Sequence, residues 1–139
     1  MAPPRMLRVK QKFEAPTLED IPAAVRAEVQ SLALDSIVTA GESVAISVGS
    51  RGIANIALII KSLVEELRVL GLEPFLVPAM GSHGGGVAEA QQAIIEGYGV
   101  TEEYTGAPIK ALRRLDRYQP SDRPPARSAL RLQFQVPLV

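Results

Sequence analysis

The sequence predicts an α/β fold, a Rossmann-like three-layer sandwich with a mainly parallel sheet. Two β-loop-α units in succession carry that prediction. In the first, Val44-Ala45-Ile46-Ser47-Val48 runs into a glycine-bearing loop and then a helical pattern; in the second, Pro74-Phe75-Leu76-Val77-Pro78-Ala79 does the same. Consecutive units of this kind join parallel strands through right-handed crossovers. The length agrees, because 139 residues with 47% hydrophobic and 22% charged side chains describe one globular domain around one core.

The elements follow in order. Residues 1–16 are mixed and read as extended. Thr17-Leu18-Glu19-Asp20 places an acid three positions after a hydroxyl residue, the spacing of a capping box, ahead of Ile21, Val25, Val29 and Leu32 at helical intervals. Pro22 is tolerable in that helix's first turn. Gly41-Glu42-Ser43 breaks the pattern, and residues 44–48 form a short apolar run suited to a buried parallel strand. Gly49-Ser50-Arg51-Gly52 interrupts it. Ile53, Ile56, Ile60, Leu63, Val64 and Leu67 then repeat at three and four residues until Gly71. In the second unit the strand spans residues 74–79 and the loop Met80 to Gly86. Its helix runs from Val87 to about Tyr98 and stops at Gly99.

Composition shifts near residue 110. Ala111 to Val139 carries six Arg against two Asp, whereas residues 1–110 carry nine basic and thirteen acidic groups. The expected organisation is an α/β domain over 1–110 and an Arg/Pro-rich divergent tail over 111–139. That tail reads as poorly foldable, apart from Leu130 to Val139, which alternates enough to pair as an edge strand.

Several function classes are excluded. With a formal net charge of zero, three Phe, three Tyr and no Trp, the chain has neither the basic field nor the stacking platform of a nucleic-acid binder. The absence of cysteine removes thiol catalysis and zinc-thiolate sites, and a single histidine cannot assemble a dedicated transition-metal site. Pro3, Pro4, Arg5 and Arg8 are not followed by an apolar signal-peptide core, and no run approaches the roughly 18–20 apolar residues that span a bilayer. A cytoplasmic protein that engages no membrane is expected.

In an open parallel sheet, ligands bind beyond the carboxyl ends of the strands, where loops converge and helix N-termini present unpaired N–H groups. Both unusual loops fall there. Gly49-Ser50-Arg51-Gly52 offers an uncrowded backbone, a hydroxyl and a guanidinium at an expected helix start, which suits a carboxylate or phosphate. The plainer reading is a sharp turn with a surface arginine. In Met80-Gly81-Ser82-His83-Gly84-Gly85-Gly86, the chain's one histidine precedes three glycines that let a ligand approach the backbone. A neutral imidazole there can accept a hydroxyl proton from a bound substrate, although a lone histidine is more often an ordinary surface or core residue. Glu89 reads as a first-turn charge that stabilises the next helix, and Glu65-Glu66 and Glu102-Glu103 read as solvated charges. The expected catalytic residues are His83 and Arg51. Ser50, Gly52, Ser82, Gly84, Gly85 and Gly86 are the expected cofactor contacts, and no residue is expected to ligate a metal.

These loops carry a resemblance. Residues Val44 to Ile56, the run Val77-Pro78-Ala79-Met80-Gly81-Ser82-His83-Gly84-Gly85 and Gly97-Tyr98-Gly99-Val100-Thr101-Glu102-Glu103 resemble the N-terminal domain of the nickel-dependent lactate racemase family, in its Gly-Ser-His-Gly-Gly form. The likeness covers about residues 5 to 110. It implies an α/β domain followed by a second one, an active site in the cleft between them, and a nickel pincer cofactor derived from a pyridinium mononucleotide. It implies further that histidine takes the proton of a 2-hydroxyl while the cofactor takes the hydride. His83 matches one of two acid/base histidines, and Arg51 matches an arginine that contacts anionic substrate or cofactor. Lactate racemases proper have an aspartate where Val48 stands and Arg-Pro where Gly84-Gly85 stand, so lactate itself is not implied. Because the likeness stops near Lys110, the expectation is a truncated or frame-shifted N-terminal half that turns over only with its missing domain and binds no cofactor alone. Two other readings stay open: a non-catalytic module binding an anion or nucleotide, and an inert fragment that self-associates through exposed apolar surface.

Overall fold

The computed structural model of the protein describes residues 8–12 and 17–111. The expected edge strand at residues 130–139, and the Arg/Pro-rich segment from residue 112 onward, lie outside them. The described chain is mixed α/β: a two-stranded parallel sheet with helices packed against one face.

Helix α1 spans Ile21–Ser31, with Pro22 in its first turn. Its cap is Asp20, whose Oδ1 accepts the Ala23 N–H at 2.9 Å, so the expected capping box centred on Thr17 is replaced by a shorter Asx cap one turn later. A single 3₁₀ turn, Leu34–Ser36, buries Leu34 and leads toward strand β1, Ser43–Val48. Helix α2 spans Ile56–Val69 and buries Ile56, Ile60, Leu63, Val64 and Leu67, the stripe that the 3/4 periodicity predicts. It starts three residues later than Ile53, which is exposed, because Asn55 adopts a left-handed conformation at the cap. Its other end closes as a Schellman motif: Gly71 has φ +77°, and the Leu72 N–H reaches back to the Leu67 carbonyl at 3.1 Å.

Strand β2, Glu73–Pro78, pairs with β1 in parallel, Ser43 opposite Glu73 and Val48 opposite Pro78. A 3₁₀ turn at His83–Gly86 precedes helix α3, Ala88–Gly97, and a one-turn helix α4, Glu102–Thr105, is capped by the Thr101 hydroxyl. The chain then returns to the sheet. On the far side of β2, Leu76 donates to the Pro108 carbonyl and accepts from the Lys110 N–H, both at 2.8 Å, giving an isolated parallel bridge to Ile109.

Burial alternates along β1, with Ile46 and Val48 inside and Ser43, Ala45 and Ser47 exposed. One continuous core therefore lies between the sheet and its helices, and includes Val29, Leu34, Val48, Val64, Leu76, Ile95 and Val100. Two of the charges read as solvated have partners. Glu66 accepts from Arg26 of α1 at 2.8 Å, tying α1 to α2, and Glu102 accepts the Ile109 N–H at 2.6 Å, holding the returning segment.

Candidate functional site

The parallel register puts Val48 beside Pro78, so the loops that follow both strands leave the same rim of the sheet. They meet through their side chains: Ser50 Oγ lies 2.5 Å from His83 Nδ1. Arg51 is adjacent in the chain to that contact. It is exposed, and its guanidinium has no hydrogen-bond or ion-pair partner among the described residues. His83 is exposed too, and its Nε2 has no protein partner among the described residues. The rim thus presents one imidazole nitrogen and one free cation, while the other imidazole nitrogen is held.

Two side chains that sequence reasoning did not select hold this arrangement. Gln91, in the first turns of α3, donates through Nε2 to the Gly81 carbonyl at 2.7 Å and the His83 carbonyl at 3.1 Å, pinning the histidine loop to its own helix. Tyr98, at the end of α3, donates its hydroxyl to the Ser50 carbonyl at 2.9 Å, pinning the arginine loop to the same helix. One signal was present in the sequence: Gln91 and Tyr98 sit seven apart on the predicted helix, which places them on one face two turns apart. What no pattern announces is that this face reaches both loops.

The glycines divide into two kinds. Gly84 has φ +62° and packs so closely that an added Cβ would stand 3.0 Å from the Ala90 Cβ, so its presence has a folding reason. Gly85 and Gly86 also have positive φ but open space around them, as Gly81 does. Gly52 and Ser82 are exposed on the same rim, and Ser82 makes no capping hydrogen bond. One electrostatic expectation needs correction. Because α2 begins at Ile56, the Gly49–Gly52 loop does not form that helix's first turn, and Arg51 stands five residues ahead of its first helical residue, outside the first turn where the dipole of α2 acts most strongly.

Among the described residues no group of three or more His, Cys, Asp or Glu could hold a metal ion, and no helix is long and apolar enough to cross a membrane. A concavity lined by Ser43, Arg68, Leu72, Glu73, Phe75 and Lys110 opens at the amino ends of the strands, away from the two loops. At the loop site Arg51, Gly52, Ser82 and His83 are exposed, and Ser50 is half-buried. No family model, no curated protein and no solved structure matches the chain.

Proposed function

We propose that this chain is the N-terminal half of a 2-hydroxy-acid racemase or epimerase-like enzyme, with His83 as an acid/base and Arg51 as the carboxylate contact. The observation that supports the reading is the Ser50–His83 contact at 2.5 Å, which brings the guanidinium loop and the imidazole loop together on one rim. A 2-hydroxy acid carries its anionic group one carbon from its hydroxyl. A neighbouring guanidinium and a bare imidazole nitrogen suit that pair, the first as a charge-assisted donor and the second as acceptor of the hydroxyl proton.

The resemblance to nickel-dependent lactate racemases adds the reaction class and a cofactor that accepts hydride. Among the described residues no group of three or more His, Cys, Asp or Glu is available to hold nickel. What this chain contributes is substrate orientation by Arg51 and reversible proton transfer at His83 Nε2. A second α/β domain would form the facing wall of the cleft. The same reading makes the two strands part of a Rossmann-like three-layer sandwich, with another layer over Ser43, Ala45 and Ser47.

A serine beside a histidine also raises acyl transfer, with Ser50 as nucleophile. The geometry argues against it, since Nε2 has no carboxylate behind it among the described residues to orient the ring as a base toward Ser50. A non-catalytic anion-binding module is favoured by Arg51 alone, which has no partner among the described residues, and differs in its dependence on His83. Calorimetric titration with short 2-hydroxy acids and with pyridine mononucleotides on the wild type, Arg51→Ala and His83→Ala separates these readings. Arg51→Ala is expected to weaken hydroxy-acid binding by about tenfold or more, the scale of one hydrogen bond to a charged group. His83→Ala is expected to remove the preference for a 2-hydroxy acid over the matching unsubstituted acid. Identical titrations for all three proteins would discard both the enzyme and the module.

A further inference from the structure

We infer that Tyr98 and Gln91 are positioning residues, through which α3 fixes the spacing of Arg51 from His83 and with it the choice of a 2-hydroxy over a 3-hydroxy acid. The inference deepens the reading of Arg51 and His83 as carboxylate and hydroxyl contacts and rests on it. Each of the two side chains holds a peptide plane beside one of those contacts. The Tyr98 hydroxyl donates at 2.9 Å to the Ser50 carbonyl, which lies in the plane joining Ser50 to Arg51. The Gln91 amide donates at 3.1 Å to the His83 carbonyl, in the plane joining His83 to Gly84, and at 2.7 Å to the Gly81 carbonyl. A side-chain amide has two N–H donors, and these two carbonyls match them.

These contacts close a ring. Ser50 Oγ lies 2.5 Å from His83 Nδ1, so the loops touch at the rim, and behind them Gln91 and Tyr98 are joined by two turns of helix, about 10 Å. The helix is itself anchored. Ile95 and Val100 are fully buried, and the Val100 N–H reaches back to the Ile95 carbonyl at 3.1 Å. A loop joined only to its own strand samples many conformations, whereas a loop tied at a peptide plane to a packed helix keeps the geometry that a site must hold to about 0.5 Å. The hydroxyl of a 2-hydroxy acid stands one carbon from the carboxylate, and that of a 3-hydroxy acid stands two. A rim of fixed spacing separates the two ligands, and a loosened one accommodates both.

Tyr98→Phe removes the hydroxyl at a residue 42% exposed and keeps the ring, so ring-current effects on neighbouring nuclei persist. Gln92→Ala is the control on the same helix, because the Gln92 amide bonds Glu96 at 2.8 Å and neither loop. His83 is the one histidine in the chain, so its ring signals are unambiguous by NMR. They are expected to shift in Tyr98→Phe and in Gln91→Glu and to stay in place in Gln92→Ala, with backbone amide dispersion showing that each variant is folded. Calorimetry with 2-hydroxypropanoate and 3-hydroxypropanoate reads the spacing. Wild type is expected to favour the 2-hydroxy acid, and Tyr98→Phe to shrink that preference about two- to tenfold, the scale of one ordinary hydrogen bond. A His83 signal unmoved by Tyr98→Phe, or an equal loss of affinity for both acids, overturns the positioning role. Shifted His83 signals in a protein that binds neither acid uphold α3 as the element that positions the loops and count against the substrate reading.

Discussion

A methyl group added at Gly84 would stand 3.0 Å from the Ala90 Cβ and 3.1 Å from its carbonyl carbon, on a backbone already at φ +62°. One residue later, the same methyl at Gly85 meets nothing within 4 Å, with φ +68°. The two substitutions share a conformational penalty of about 1–2 kcal/mol, and Gly84→Ala adds an overpacking cost of about 1–3 kcal/mol. Chemical denaturation should therefore show Gly84→Ala losing clearly more stability than Gly85→Ala; equal losses would mean the α3 contact yields. If Gly85 and Gly86 leave room for a ligand, Gly85→Ala should weaken nucleotide or hydroxy-acid binding out of proportion to its modest effect on stability. The sequence shows three consecutive glycines and cannot distinguish these cases, because the difference lies in what α3 brings against the first of them.

Among the elements, patterns that depend on neighbours in sequence are the ones that can be read in advance. The apolar stripe of α2 and the glycine stops at Gly71 and Gly99 follow from local spacing, and both glycines adopt positive φ as helix ends require, whereas β1, expected as a buried apolar run, leaves Ala45 and Ser47 exposed. Helix starts were less legible. Thr17 offered a capping hydroxyl, yet Asp20 stands next to the first helical residue and two positions ahead of Pro22, where a short side chain reaches the Ala23 N–H. Asp20→Ala should cost about 1 kcal/mol, whereas Thr17→Ala should stay within about 0.5 kcal/mol. Thermal unfolding of the two variants decides between the caps, and a larger loss for Thr17→Ala would restore the capping box. The α1–α2 tie was invisible for another reason: Arg26 and Glu66 are forty residues apart in sequence. The Glu66 hydrogen bond, and then its charge, raise the Arg26 pKa. The guanidinium's contribution is therefore complete below its ordinary range and is lost only as pH climbs through the raised value.

At the scale of the whole molecule, the layers are unequal. Strand β2 is hydrogen-bonded on both sides, to β1 along six residues and to the returning segment at Leu76, whose side chain is fully buried. Helix α2 buries six residues, while α1 buries Val29 alone and packs on α2 from outside. Stability should be distributed accordingly, because local opening is easiest where the fewest apolar contacts are broken. Native-state hydrogen exchange is expected to show the slowest amides in β2, at Lys110 and along Leu63–Leu67, with α1 exchanging faster through an opening that leaves the sheet intact. Leu76→Ala should cost about 2–5 kcal/mol and accelerate all of these slow amides together, since the cavity lies where sheet, helix and returning segment join. Val29→Ala should accelerate α1 and leave β2 unchanged. If α1 and β2 instead exchange at one common rate in the wild type, the outer helix belongs to the same cooperative unit. The two loops at the rim would then be supported by the whole fold, rather than by β1, β2 and α3.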